Sequence, residues 1–155
     1  RLIDTYGPAE CTLAATYRVC TVADCESELP YVHIGRPLPN YTVHVLDPVS
    51  RHPVPVGCEG ELYIGGPGVF SGYWRAPDLT SACLVSLPSL SPTPLYKTGD
   101  VVRMDRSGDL YFCGRVDFQV KIRGQRLEIG GHRHRIEPAQ EAARAVGIRL
   151  RLCGE

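Results

Sequence analysis

Tyr6-Gly-Pro-Ala-Glu10 places an aromatic ring and a carboxylate on either side of a tight turn. Gly7 and Pro8 favour that turn, so the backbone that carries Tyr6 and Glu10 is constrained. A flat ring can stack on a purine, and a carboxylate can hold a hard cation such as Mg²⁺, which prefers oxygen ligands and phosphates. Taken alone, the stretch predicts either a nucleotide-binding turn or an ordinary turn before a strand.

The second informative block is glycine-rich and reads Gly60-Glu-Leu-Tyr-Ile-Gly-Gly-Pro-Gly-Val-Phe-Ser-Gly-Tyr-Trp74. Its spacing matches neither the Walker phosphate loop, G-x-x-x-x-G-K-[ST], nor the dinucleotide fingerprint, G-x-G-x-x-G at the start of a helix. We therefore interpret these glycines as structural residues at the end of a strand.

Two later blocks carry charged side chains. Tyr96-Lys-Thr-Gly-Asp100 puts a carboxylate after a predicted glycine turn, where its oxygens could accept both hydroxyls of a ribose or only cap the turn. The other block reads Gly114-Arg-Val-Asp-Phe-Gln-Val-Lys-Ile-Arg-Gly-Gln-Arg-Leu-Glu128. Its cations could meet a phosphate, or they could form only the charged face of a strand.

Composition limits the class of protein. The chain has 155 residues, of which 43% are apolar and 22% charged, as in a globular protein with one core. No stretch approaches ~18 consecutive apolar residues, so we expect no membrane span and a cytoplasmic location. The basic excess after Lys121 accompanies no nucleic-acid-binding module, so no nucleic-acid partner is expected. Seven cysteines without a C-x-x-C pair argue against a zinc site and a complete disulfide framework.

Frequent glycine and proline divide the chain into short units, most of which are predicted strands. The predicted strands cover residues 13–19, 42–46, 61–64, 101–104, 110–113 and 119–122. The predicted helices cover residues 76–85 and 138–146. A hairpin is predicted over residues 101–115, because Gly108 in Arg106-Ser-Gly-Asp109 can adopt a positive φ. The Ser- and Pro-rich residues 86–94 are a predicted surface loop.

Together the four blocks resemble the AMP-binding, or adenylate-forming, enzyme family, and most closely the adenylation domains of nonribosomal peptide synthetases. The family patterns Y-G-P-[TA]-E, G-E-L-x-I-x-G-x-G-x-x-x-G-Y, Y-[RK]-T-G-D and G-R-x-D-x-Q-V-K-I-R-G-x-R-[IL]-E occur in this order within residues 3–129. The resemblance implies an α/β fold of which this chain is a strand-rich piece. Residues 1–117 would end the large N-terminal subdomain with its distorted β-barrel, and residues 118–155 would start the small C-terminal subdomain, diverging after about residue 129.

The resemblance also implies roles for individual residues. Tyr6 would stack on adenine, Glu10 would bind Mg²⁺, and Asp100 would hold the ribose hydroxyls. The nucleotide-binding residues implied in full are Tyr6, Gly7, Glu10, Asp100, Phe112 and Arg115. Those implied for other steps are Asp117 as the hinge between subdomains, Gly124 in the pantetheine channel, and Thr5, Leu13 and Ala14 in the substrate pocket.

The implied reaction is attack of an amino-acid carboxylate on the α-phosphate of ATP, which gives aminoacyl-AMP and pyrophosphate. Transfer of the aminoacyl group to a phosphopantetheine thiol would follow and release AMP. ATP or AMP and Mg²⁺ would be the cofactors, because the cation and basic side chains offset charge on the phosphates. The amino acid, a peptidyl carrier domain with its phosphopantetheine, and a condensation domain would be the partners.

Two departures from the family pattern limit the expected activity. The phosphate loop and the C-terminal catalytic Lys of the family have no counterpart here, so we expect the isolated chain to be a truncated and inactive fragment. After Glu128, Ile129-Gly-Gly-His-Arg-His replaces the family's L-G-E-I-E. A fragment of an acyl- or aryl-CoA ligase and a non-catalytic remnant module are the alternative interpretations.

Overall fold

The computed structural model describes residues 2–25, 32–116, 119–122 and 125–128. The chain divides into two compact units, Arg1–Val116 and Asp117–Glu155. None of the helices in these described ranges is long and apolar enough to cross a membrane.

The first unit is built on one antiparallel sheet. Its strands are β1 (Ile3–Tyr6), β2 (Thr16–Val19), β3 (Val32–Pro37), β4 (Thr42–Leu46), β5 (Glu59–Gly65), β6 (Leu84–Val85), β7 (Leu95–Met104) and β8 (Leu110–Arg115). Seven of them follow the order β1-β2-β3-β8-β7-β5-β4, and β6 pairs with β7. Across the residues described, the sheet is not closed, since β1 and β4 are its two ends. The expected strand-rich fold is confirmed.

Among the residues that the structure describes, three short helical segments accompany the sheet: a 3-10 helix at Ala9–Cys11, α1 (Val22–Cys25) and α2 (Pro77–Cys83). Pro77 occupies the first turn of α2, where its missing N–H leaves no helical hydrogen bond unmade. The predicted helix over residues 76–85 is therefore confirmed in its centre, but it ends earlier because Leu84 enters β6.

The predicted strands of the first unit are confirmed, with two large boundary errors. The strand predicted over residues 101–104 begins at Leu95, six residues earlier. The strand predicted over residues 13–19 begins only at Thr16. Thr12 and Leu13 have φ values of 55° and 77°, which are left-handed and interrupt an extended chain. The hairpin over residues 101–115 is confirmed, and Gly108 in its turn has the expected positive φ of 83°.

The core lies on both faces of β5, whose consecutive side chains point to opposite sides of the sheet. Leu62 and Ile64 join the main core, whereas Tyr63 packs with Leu46 and Leu95 in a second cluster. The predicted surface loop at residues 86–94 is a loop, but its Leu87 and Leu90 cover this second cluster. The buried members of the main core are Cys11, Ala15, Ile34, Val45, Leu62, Ile64, Tyr96, Val102 and Leu110.

In the second unit the structure describes one antiparallel hairpin, formed by β9 (Gln119–Ile122) and β10 (Gln125–Glu128). Its register pairs Val120 with Leu127. The predicted strand over residues 119–122 is confirmed. The helix predicted over residues 138–146 and the divergent sequence after residue 129 lie outside the described residues.

Candidate functional site

Three polar side chains from three different strands meet at Asp100. Asp100 and Arg115 are register partners on β7 and β8, and Tyr6 is the last residue of β1. The Tyr6 hydroxyl donates a hydrogen bond to Asp100 Oδ2, and Arg115 Nη1 donates to Asp100 Oδ1. The fold therefore joins the ring of the first sequence block to charged residues of the third and fourth blocks.

The backbone around Asp100 fixes the carboxylate in place. The Asp100 amide donates to Thr98 Oγ1 at 2.9 Å, and that hydroxyl donates to the Leu62 carbonyl at 2.8 Å. Arg115 Nη2 donates to the Thr98 carbonyl at 3.1 Å. The Arg115 and Asp100 side chains are only 16% and 9% exposed, so little water screens their attraction. The result is a rigid anionic group at the edge of the core.

The third block differs from its prediction in one respect. Tyr96-Lys-Thr-Gly-Asp100 was expected to form a turn before a strand, and this is wrong, because it lies inside the ten-residue β7. Gly99 still has a positive φ of 73°, which interrupts the regular strand conformation directly before Asp100. Gly99 therefore permits a local irregularity within β7 and does not form a chain reversal.

The protonation state of Tyr6 follows from its surroundings. Burial raises the pKa of the Tyr6 phenol far above its ordinary value, and the charge of Asp100 raises it further. Both effects disfavour the phenolate. Tyr6 is consequently a neutral hydrogen-bond donor to Asp100 at physiological pH.

Glu10 belongs to a second network of hydrogen bonds. It is 7% exposed and lies in the short 3-10 helix. Tyr73 Oη donates to Glu10 Oε1 at 2.5 Å, and the Phe70 amide donates to the Glu10 carbonyl at 2.8 Å. Burial raises the pKa of the neighbouring Cys11 thiol to about 12, with a further contribution from the charge of Glu10.

Gly7 is required by close packing of the backbone. A Cβ at this position would lie 2.6 Å from Ala14 Cα and 2.7 Å from the Leu13 carbonyl oxygen. The Ala15 amide donates to the Tyr6 carbonyl at 2.8 Å, which closes the connection between β1 and β2 that contains Gly7 and Glu10. The backbone at Gly7 is therefore constrained, but Pro8 is extended, with φ −70° and ψ 156°, and the chain turns only in the 3-10 helix at Ala9–Cys11.

The other implied site residues do not join either network among the contacts described. Phe112 is half-buried in β8 and packs against the main core. Thr5 is exposed, Leu13 is 86% exposed, and Ala14 is partly buried. The implied hinge and pantetheine-channel residues, Asp117 and Gly124, lie outside the described residues.

The contact of Tyr73 with Glu10 is one that sequence reasoning missed. Tyr73 is the tyrosine of the Gly-Tyr pair that ends the second block, whose glycines were interpreted as structural residues. A phenol 63 positions from Glu10 gives no local pattern that indicates their contact. The recurrence of Gly-Tyr in the family pattern for this block is the signal that could have drawn attention to it.

Comparison with known proteins identifies the family to which this chain is similar. Residues 1–74 match the family described as AMP-binding enzyme. The chain is 48% identical to malpibaldin synthetase of Mortierella alpina over 132 residues, which are 84% of this chain and 2% of that protein. It is 40% identical to surfactin synthase subunit 1 of Bacillus subtilis over 146 residues, which are 94% of this chain and 4% of that protein.

A solved structure supports the same relationship. An NRPS protein containing adenylation and PCP domains superposes with a TM-score of 0.75 and 32% sequence identity, over 87% of this chain and 27% of that one. The chain thus spans about a quarter of this solved relative and a few per cent of the curated ones. The chain belongs to the AMP-binding enzyme family, and its fold is that of a fragment of a nonribosomal peptide synthetase adenylation domain.

Proposed function

We propose that the chain contributes one side of the nucleotide site of a nonribosomal peptide synthetase adenylation domain. The domain would activate an amino acid with ATP to an aminoacyl adenylate and pass it to the phosphopantetheine of a carrier domain. The observation that carries this proposal is the hydrogen-bonded set of Tyr6, Asp100 and Arg115.

The geometry of this set suits a nucleoside. The Tyr6 ring and the Asp100 carboxylate are joined through the phenol oxygen. A base lying on the Tyr6 ring would therefore have its ribose near the carboxylate, whose oxygens accept hydroxyl donors. Arg115 donates to the other carboxylate oxygen of Asp100, and its positive charge would attract the phosphates of the nucleotide.

Glu10 fits the requirements of a magnesium ligand. Mg²⁺ is commonly held by one or two carboxylates together with substrate phosphates and water. In the described part of the chain there is no group of three or more His, Cys, Asp or Glu residues that could hold a metal ion. Glu10 would supply one oxygen ligand, and the cation when bound would neutralise charge on the phosphates.

The remaining implied roles form part of the same proposal. Asp117 would serve as the hinge, Gly124 would line the pantetheine channel, and Thr5, Leu13 and Ala14 would line one wall of the amino-acid pocket. Exposure of Thr5 and Leu13 is consistent with a wall that another part of a longer protein covers. The carrier and condensation domains would be partners of that longer protein.

A titration of the chain with ATP, with and without Mg²⁺, tests the proposal. We expect weak binding, with a Kd on the order of 1 mM, because only one side of the site is present. Tyr6→Ala should weaken binding by about tenfold or more, since stacking on an aromatic side chain contributes ~1–3 kcal/mol per base.

Trp74→Ala is the control, because Trp74 is 87% exposed and could stack on a base without any site. Its affinity for ATP should equal that of the unmodified chain. No binding, or equal binding by the Tyr6→Ala variant, would support the non-catalytic remnant instead. Amino-acid-dependent exchange of pyrophosphate into ATP by the chain alone would contradict the claim that it is incomplete.

A further inference from the structure

Tyr73 ties three segments together through three kinds of contact. Its hydroxyl donates to Glu10 Oε1 at 2.5 Å, and its amide donates to Thr80 Oγ1 at 2.9 Å. Its ring meets the ring of Phe70 edge-on, with 4.8 Å between centroids. The phenol is thus held in one place by the backbone, by a neighbouring ring and by the carboxylate.

Residues 66–76, here called the glycine loop, are docked on the turn that carries Glu10. The Phe70 amide donates to the Glu10 carbonyl at 2.8 Å, and Thr12 Oγ1 donates to the Gly68 carbonyl at 2.7 Å. The Phe70 ring also packs edge-on against Tyr96 of β7, at 5.8 Å between centroids. These contacts hold the loop without help from the Tyr73 hydroxyl.

The helix α2 anchors the other end of the loop. Thr80 Oγ1 accepts the Tyr73 amide and donates to the Ala76 carbonyl at 2.9 Å. Gly72 has a φ of 141°, and a Cβ there would lie 2.8 Å from Thr80 Cγ2. Close packing of Gly72 on Thr80 therefore fixes the position of the Tyr73 backbone.

We propose that Tyr73 is a positioning residue that orients the Glu10 carboxylate toward a divalent cation. A hydrogen bond from a hydroxyl to a carboxylate is short and strong, as the 2.5 Å distance indicates. It restricts the rotation of an otherwise flexible side chain, so that the carboxylate presents its oxygens in one direction. This role rests on the proposed function, which makes Glu10 the magnesium ligand.

The test uses Mn²⁺ alone as a paramagnetic probe of the full chain, without nucleotide. The amide signal of Phe70 reports on the site, because this amide is bonded to the Glu10 carbonyl. In the Tyr73→Phe variant, the Mn²⁺ concentration that halves the height of this signal should rise about tenfold. Loss of a partner that orients a metal ligand commonly costs 10- to 100-fold in metal affinity.

Tyr41→Phe is the matched control. It also removes one hydroxyl from a half-buried tyrosine, and that hydroxyl donates to the Cys11 carbonyl at 2.9 Å, one residue from Glu10. It does not touch the Glu10 carboxylate among the contacts described. We expect this variant to need the same Mn²⁺ concentration as the unmodified chain. An equal rise in the Mn²⁺ concentration for both variants would show that Tyr73 has only a structural role.

Glu10→Gln shows whether the probe reports on this carboxylate. It should abolish the broadening of the Phe70 signal, whereas broadening that survives, or no broadening in the unmodified chain, would overturn the proposal.

If Tyr73→Phe does not fold, Thr80→Val replaces it in the test, because it removes the acceptor of the Tyr73 amide and should still raise the Mn²⁺ requirement. The ATP titration fails or succeeds independently of Mn²⁺, so the two proposals can be rejected separately.

Discussion

Replacing Asp100 with asparagine is expected to lower the free energy of unfolding by about 3 kcal/mol, the lower end of what breaking a buried ion pair costs. The Arg115 guanidinium is 16% exposed and would be left without the carboxylate that pairs with it. The Tyr6 hydroxyl would also lose its charged acceptor. Urea denaturation of the chain and the variant measures this difference.

Asp109→Asn is the matched control for that experiment. Asp109 accepts two hydrogen bonds from Arg36, at 2.9 and 3.0 Å, but Arg36 is 55% exposed. Water screens such a pair, so its loss should destabilise the chain much less than the loss of Asp100. Equal losses in the two variants would contradict the interpretation of Asp100 as a buried charge. Introducing Asp100→Asn into an Arg115→Met background should cost less than in the unmodified chain.

Gly35→Ala is expected to destabilise the first unit by about 2–5 kcal/mol, the sum of a left-handed backbone penalty and a backbone clash. Gly35 has a φ of 77°, and a Cβ there would lie 1.9 Å from the Tyr17 carbonyl oxygen. That oxygen belongs to β2, so relief would require moving a strand. Gly35 also lies at the irregularity where β3 changes register against β8.

Gly57→Ala separates the two contributions. Gly57 has a similar φ of 89°, but a Cβ there would meet nothing within 4 Å. The Gly57→Ala variant should therefore lose only about 1–2 kcal/mol of unfolding free energy, the cost of the left-handed backbone conformation. Thermal and urea unfolding of both variants would give the difference. If Gly57→Ala costs as much as Gly35→Ala, the close approach of Tyr17 is not the cause.

The strands that sequence reasoning missed have physical explanations. β3 contains Gly35 and ends at Pro37, and both residue types are disfavoured in strands, so Val32–Pro37 gave no strand signal. The strand at β5 was predicted, but the burial of Glu61 was not: this side chain is 1% exposed, with the Tyr63 hydroxyl donating to it at 3.4 Å and the Lys97 ammonium 3.8 Å away. A local pattern reflects β-propensity, whereas the ion pair of Glu61 with Lys97 depends on the pairing of β5 with β7.

The candidate site was predictable in its residues and not in its contacts. The four blocks, in order, indicated Tyr6, Glu10, Asp100 and Arg115 from the resemblance to a family. The hydrogen bond from Tyr6 to Asp100, 94 positions away, depends on the strand order β1-β2-β3-β8-β7 in the sheet. The role of Tyr73 depends on how the glycine loop docks on Glu10, which no spacing in the sequence encodes.

Binding of AMP followed by intermolecular NOEs examines the proposed nucleotide site directly. We predict NOEs from the adenine protons to the ring of Tyr6, and their loss in the Asp100→Asn variant under conditions where that variant remains folded. NOEs from adenine to the exposed ring of Trp74, with none to Tyr6, would contradict the proposed site.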